Sequence, residues 1–276
     1  CLLTAPVWAQ KLEFDVASVK QNKTGDPPPS TNVPLGPGTV FVPSGGRFFA
    51  TNQALATYIA FAYKMQGNQQ KDLLAQLPDW VITENFDIDA RTSPDVNKDG
   101  MRQRMQALLA DRFKLKIHTE ARQEPVLSMT LAKPGKLGPK LQAHPAASCK
   151  TDPPPVNGEM LGAFPALCGG FLGLTPSSPG LQNVGARDIT MAFLANGLTA
   201  MSRSDRPVID NTGLSGTFDI AMEWEPDPAP GQPALDSPVG APFFQAVKEQ
   251  LGIKLDSQKG PVDTLVVDHI EHFLAN

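Results

Sequence analysis

The second half of this chain repeats the first. Phe86-Asp-Ile-Asp-Ala90 returns as Phe218-Asp-Ile-Ala-Met222. The stretch Met105–Ile117 (MQALLADRFKLKI) returns as Phe243–Leu255 (FFQAVKEQLGIKL). Apolar residues match at Met105/Phe243, Leu108/Ala246, Leu109/Val247, Phe113/Leu251, Leu115/Ile253 and Ile117/Leu255. Glu124–Leu131 (EPVLSMTL) is then echoed by Gly260–Val267 (GPVDTLVV), Gly45-Gly-Arg-Phe48 by Gly169-Gly-Phe171, and the helical pattern of Leu55–Tyr63 by Ile189–Leu198. Self-similarity in a fixed order means one supersecondary unit used twice, and two copies are too few for a solenoid. A pair of related modules is expected.

The periodicities fill in each module. Leu12–Val19 and Arg47–Ala50 alternate as strands, and Leu55–Met65 places Leu55, Tyr58, Ile59 and Ala62 on one helical face with Asn52 as N-cap. Phe86–Ala90 is a short strand, and Met101–Phe113 is the strongest helix. Lys114–Thr119 and Val126–Ala132 read as strands joined by a polar turn at Glu120–Glu124. The second copy gives helix 189–201, strand 217–224, helix 242–251 and strands 252–256 and 262–268. The expected class is therefore α+β: two helix-strand-helix-strand-strand modules with helices on small mixed sheets. The first should span residues 11–140 and the second 181–276, separated by a Pro/Gly-rich linker at 141–180.

A net charge of −4 argues against a nucleic-acid partner, which demands a basic face. Residues 1–10 (CLLTAPVWAQ) are apolar, with Val7 and Ala9 suited to a signal-peptidase site. They read as the remnant of a secretory signal, which places the chain in the periplasm or outside the cell. No other segment reaches the ~18 apolar residues of a membrane span. In an oxidising compartment Cys149 and Cys168, both in the linker, should form a disulfide.

The segments GGRFFATNQALATYIAFAY, LPDWVITENFDIDA, MQALLADRFKLKIHTEARQEPVLSMTLAK, RPVIDNTGLSGTFDIAMEW and LGIKLDSQKGPVDTLVVDHIE resemble a soil-associated family abundant in Acidobacteria. Members of that family look exported. A soil-metagenome N-acyl-homoserine lactone hydrolase is similar to it, so the resemblance implies an exported lactone or ester hydrolase with a small acyl lactone as partner. The repeat unit also resembles the small N-terminal domains of secretins and TonB-dependent receptors, which implies the alternative: a non-catalytic extracytoplasmic binding or sensing module.

The residues themselves show little catalytic machinery. There is no G-x-S-x-G elbow, since Gly213-Leu-Ser215-Gly216 has the wrong spacing, and no H-E-x-x-H or H-x-H-x-D-H cluster. His269 and His272, beside Asp268 and Glu271, could ligate a metal or act as a base, but read more simply as a polar tail; His118 reads as a solvated strand end. Tyr58, Phe61, Tyr63, Trp80, Phe48 and Phe49 could line an acyl pocket and more simply form core. One local pattern stands out. Asp95-Val-Asn97-Lys-Asp99-Gly100 matches the opening of a calcium loop, with Asp95, Asn97 and Asp99 as ligands and the Met101 carbonyl as a fourth. Gln106 replaces the bidentate Glu of the twelfth position, and the rival reading is a polar turn with Asp99 capping the next helix. Calcium is the expected cofactor on the first reading.

Overall fold

The computed structural model describes residues 12–65, 67–145, 149, 159–228 and 239–272. The signal-like residues 1–10 lie outside that set. The first half runs β1 (Val16–Asn22), β2 (Ser30–Thr31), β3 (Arg47–Ala54), α1 (Leu55–Ala62), α2 (Gly67–Leu74), α3 (Trp80–Thr83), β4 (Asn85–Arg91), α4 (Lys98–Arg112) and β5 (Lys116–Leu131). The second runs β6 (Leu141–Ala143), β7 (Met160–Leu161), β8 (Phe164–Pro165), β9 (Gly170–Gly173), β10 (Gln182–Ile189), α5 (Met191–Met201), β11 (Val208–Asp210) and β12 (Phe218–Trp224). It closes with α6 (Phe243–Ala246), a π-helical turn (Val247–Leu251) and β13 (Ile253–His269). The fold is mixed α+β. No helix among the described residues is long and apolar enough to cross a membrane.

Each half builds an antiparallel sheet in the same pattern, β1-β4-β3-β2 and β6-β12-β10-β9. Period-2 alternation decides what each sheet buries. Phe48, Ala50, Phe86, Ile88 and Ala90 meet Leu55, Tyr58 and Ile59 of α1 and Met101, Met105 and Leu109 of α4 in one core. Phe218, Ile220, Met222 and Trp224 meet Leu194 and Leu198 of α5 and Phe243, Val247 and Leu251 in the other. Most of the aromatic set of the first half is core: Phe48, Tyr58 and Phe61 are fully buried, Tyr63 and Trp80 pack against that core, and the Tyr58 hydroxyl donates to the Phe86 carbonyl at 2.8 Å. Phe49 lies outside the core, under the Arg47 guanidinium.

The two sheets share an irregularity. Pairing slips between Ala50 and Gln53 in β3 and between Ala186 and Ile189 in β10, just before the following helix. Asn52 and Asp188 sit there with φ of 52° and 54°, a left-handed conformation that Asn and Asp tolerate better than other side chains. In each case the Asp after the repeated Phe holds the kinked backbone: Asp87 accepts from Asn52 N–H at 2.7 Å, and Asp219 from Asp188 N–H at 3.1 Å. Asn52 is thus a bulge residue; α1 starts from Ala54, which makes no side-chain cap.

Several expected boundaries shift. β3 precedes the first helix of its half as expected, β10 adds an unexpected strand before that of the second, and the expected strand pairs at the C-terminal ends are single continuous strands. Glu120–Glu124 is not a turn: β5 and β13 pair antiparallel along their length, from Lys116↔His269 to Leu131↔Ile253, with Gln123 opposite Pro261 at mid-ribbon. One end of this ribbon puts Ile117, Leu265 and Val267 on the first core; the other puts Leu127, Met129, Ile253 and Leu255 on the second. The residues between are polar because they cross from core to core through water. The strands of the two four-stranded sheets pair antiparallel rather than in a mixed pattern, and parallel strand pairing occurs where β11 joins β5, with isolated parallel bridges at Cys168–Arg187 and Glu225–Pro242. The segment expected as linker supplies β6 and β9, both edges of the second sheet. Gly45–Phe48 opens β3 whereas Gly169–Phe171 opens β9, so that echo does not mark equivalent strands.

Entry to the ribbon needs left-handed backbone in both halves, at Lys114 (φ 50°) and at Gly252 (φ 70°). A Cβ on Gly252 would also meet the Gly138 backbone nitrogen at 2.5 Å. Gly252→Ala is therefore expected to cost at least about 1–2 kcal/mol, read as a lower urea midpoint. A midpoint within error of the unaltered protein would contradict this account of the turn.

Candidate functional site

The outer face of the second sheet collects the polar side chains. Alternation along β12 sends Phe218, Ile220, Met222 and Trp224 inward, which leaves Asp219, Ala221 and Glu223 on the other side. Antiparallel register brings Asn183 opposite Glu223 and Gly185 opposite Ala221. A cover lies over this face: the β7–β8 hairpin and the turn after β9. Its closeness is visible at Gly185, where an added Cβ would fall 2.7 Å from the Pro165 side chain and 2.9 Å from that of Leu174.

At one end of the face Asp219 is fully buried. Its Oδ1 lies 2.6 Å from His144 Nδ1 and accepts from Asp188 N–H. Its Oδ2 accepts from Arg187 Nε and Gln142 Nε2, both at 3.3 Å. Arg187 is itself buried, and its Nη1 has no hydrogen-bond partner among the described residues. Against this network lies the Cys149–Cys168 disulfide, as the cysteine placement implied. Cys149 Sγ is 3.5 Å from His144 Nε2 and 3.7 Å from Asp188 Oδ2. Sulfur, imidazole and carboxylate thus stand in the order of a nucleophile, its base and the group that orients the base. The sulfur carries no thiol while the bridge is closed, and the imidazole ring is 7% exposed.

At the other end is a cavity of about 550 Å³, within the range of small-molecule sites. Lys140, Met160, Gly173, Leu174, Thr175, Ser177, Asn183, Ala221, Glu223 and Gln250 line it. Its walls are fixed by hydrogen bonds. Glu223 accepts from the Ser177 amide and hydroxyl, both at 2.6 Å; Gln250 Nε2 donates to the Glu223 carbonyl at 2.6 Å; and Asn183 donates to the Thr175 carbonyl at 3.0 Å. Lys140 is exposed and makes no ion pair among the described residues.

The calcium-like segment lies in the first half, and the side-chain oxygens of Asn97 and Asp99 are engaged by protein. Asn97, not Asp99, is the N-cap of α4, and its Oδ1 accepts from Gly100 N–H at 2.8 Å. Asp99 takes Arg102 Nη1 at 2.6 Å and Lys64 Nζ at 2.9 Å. Burial works to raise the Asp99 carboxyl, and the bonds from Lys64 and Arg102 outweigh it and hold it below the ordinary carboxylate range. Asp95 is exposed on the approach to the helix. These are the contacts of a helix cap and an ion-pair network.

The next turn does something the sequence did not disclose. Lys98 and Arg102, 4% and 2% exposed, reach into the loop before β3. Lys98 Nζ donates to the Gly36 and Gly38 carbonyls, and Arg102 Nη2 to those of Gly36, Pro37 and Gly38. The loop so held docks on the second half, where Thr39 N–H donates to the Gly169 carbonyl at 2.7 Å, next to Cys168. Burial, with Arg102 and Lys64 nearby and Asp99 opposing, pushes Lys98 down to about 8. The unfolded chain, titrating near 10.5, then binds more protons between these values, so stability should rise with pH across the window. A rise of the order of 1 kcal/mol from pH 8 to 10 is expected in urea titrations, and Lys98→Met should flatten it. An unaltered rise in that variant would contradict the assignment.

The remaining histidines do not converge. His118 bridges Asp268 and Glu120 on the ribbon surface, His269 faces Glu271, and His272 pairs with Glu84 and stacks edgewise on Trp80. The His144, Asp219 and Arg187 cluster was missed in the sequence. The available signal was Asp219 itself, which follows the repeated Phe as Asp87 does.

A family model described as DUF3738, a protein of unknown function, matches residues 56–270. No curated protein and no solved structure matches the chain.

Proposed function

We propose that this chain, which belongs to the DUF3738 family of proteins of unknown function, is a non-catalytic extracytoplasmic binding module. Its ligand would occupy the cavity on the outer face of the second sheet. The observation that carries this reading is that cavity, about 550 Å³ with amide, carboxylate and ammonium groups beside Met160 and Leu174. Such a lining suits a small amphiphile with an acyl chain and an amide head, of which an N-acyl-homoserine lactone is an example. The family's description carries neither a soil origin nor a lactonase activity, so the ligand class rests on the lining alone.

The shared strand order, the matched bulges at Asn52 and Asp188, and the matched turns at Lys114 and Gly252 support a tandem duplication. On this reading the first copy is a scaffold. Its loop 36–39 braces the disulfide end of the second copy, and the cover over the second sheet is the addition that makes a site. The disulfide supports an oxidising compartment.

Hydrolysis is the less favoured reading. The nucleophile-like series of Cys149, His144 and Asp219 has its sulfur tied in the bridge. Calcium assistance is also less favoured, because Asn97 and Asp99 already serve the α4 cap and the Lys64 and Arg102 pairs.

Gly173 gives a clean test, because it lines the cavity and an added Cβ there meets nothing within 4 Å. Gly173→Trp should fill the groove, weaken binding of an N-acyl-homoserine lactone at least tenfold in calorimetric titration, and leave the melting temperature nearly unchanged. Undiminished binding by this variant would place the ligand elsewhere.

A further inference from the structure

Among the described residues, one group of His, Cys, Asp and Glu offers several metal-ligating atoms at close range: His144, Cys149, Cys168 and Asp188, whose ligand atoms all lie within 4.8 Å of one another. With the bridge closed the sulfurs have no thiolate to give. We propose that reduction of Cys149–Cys168 turns this cluster into a four-ligand site for a zinc-type divalent cation, so that the chain exchanges a disulfide for a metal centre.

The ligand set is right for such an ion. Two thiolates, one imidazole and one carboxylate suit a tetrahedral borderline-soft cation, whose ligands stand about 3.3–3.8 Å apart at metal–ligand lengths of about 2.0–2.3 Å. His144 Nε2 at 3.5 Å and Asp188 Oδ2 at 3.7 Å from Cys149 Sγ already have that spacing, and opening the bridge lets the two bonded sulfurs separate towards it.

The surroundings of His144 are a second, independent observation. A metal-binding histidine characteristically gives its other ring nitrogen to a carboxylate, which fixes the tautomer and aims the ligating lone pair. His144 has this arrangement: Nδ1 is 2.6 Å from the fully buried Asp219, and Nε2 is turned to Cys149 Sγ at 3.5 Å. Asp219 is in turn held by Gln142, Arg187 and the Asp188 backbone. These contacts are in place with the bridge closed. Asp188 is placed by the bulge of β10, whose left-handed turn brings its carboxylate within 3.7 Å of the sulfur.

The exchange balances. A dithiol reductant supplies two electrons and two protons, the Cys149–Cys168 bond breaks, and the reductant leaves as its own disulfide. Binding of the cation then releases the two thiol protons. Attack by one cysteine thiolate on an oxidised dithiol reverses the sequence. A mixed disulfide forms, the second cysteine thiolate resolves it and the bridge re-forms; the reagent leaves as its dithiol carrying the two electrons, and the cation is expelled.

Cobalt(II) is the probe, because thiolate ligation gives it a charge-transfer absorption that oxygen and nitrogen ligands do not. Full-length protein is reduced with a phosphine, freed of reductant and titrated with cobalt, and its fold is followed by circular dichroism. The expected result is one equivalent of cobalt with the thiolate band in the reduced, folded chain and no such band in the oxidised chain. Adding an oxidised dithiol should abolish the band. Asp219→Asn should weaken cobalt binding by about 10–100-fold, the usual effect of losing an outer-shell partner. His144→Ala should weaken it further, whereas Asp95→Ala should not change it. Absence of the thiolate band after reduction, whether the chain stays folded or not, overturns the proposal. So does a band of unchanged affinity in His144→Ala, which would mean adventitious binding by two thiols.

Discussion

Asp219→Ala is expected to lower the stability of this protein by about 3–5 kcal/mol, the cost of removing one partner from a buried charged pair. Asp219 is fully buried and accepts from Arg187, Gln142 and the Asp188 amide, besides its contact with His144. Alanine leaves the buried side chain of Arg187 without its carboxylate, and the β10 bulge without the bond that holds it. Asp87 occupies the matching position in the first half but is only half-buried, and its main duties are the Asn52 amide and the Asn22 side chain. Asp87→Ala should therefore cost nearer 1 kcal/mol, the usual net worth of lost hydrogen bonds. Urea denaturation of both variants separates the two positions. Equal losses would mean that the buried cluster contributes nothing beyond a shared backbone role.

Replacing both bridge cysteines with serine should cost about 3 kcal/mol, from the loop entropy that a bridge between residues 19 apart removes from the unfolded chain. The same change should reach the groove. Cys168 lies just before β9, and the end of β9 and the turn after it supply Gly173, Leu174, Thr175 and Ser177 to the cavity wall. With the cover loosened, ligand affinity should fall at least tenfold even under conditions where the chain stays folded. A double variant that loses stability but keeps its affinity would show that the bridge supports the fold without shaping the site.

Where local pattern decides local structure, the sequence was readable. The repeated Phe-Asp-Ile opens β4 and β12, and the apolar positions of Met105–Ile117 and Phe243–Leu255 fall on matching core faces because helical spacing puts them there. The pairing of Cys149 with Cys168 followed from compartment and placement. The β5–β13 ribbon was hidden because its exposed middle, Thr119–Gln123, has a turn's composition without needing a turn. No local rule tells that Thr119–Gln123 will pair with Pro261–Leu265 between two cores. The buried cluster was hidden for the same reason: Asp219 meets His144 only after β6 has joined the edge of the second sheet, 75 residues away in sequence. Asn97 and Asp99 were legible as a polar loop before a helix, but calcium loops and helix caps use the same residue types. Arg102 and Lys64, which claim the Asp99 oxygens, lie outside the motif.

On the function proposed above, the groove beside Glu223 and Lys140 binds a small acylated amide without cleaving it. Titrating the oxidised protein calorimetrically with an N-acyl-homoserine lactone, and recovering the ligand for mass analysis, tests that claim directly. The account predicts a saturable single-site heat and a recovered ligand of unchanged mass. Recovery of ligand that has gained one water beyond the pH-matched blank, or the absence of any saturable heat, would contradict it.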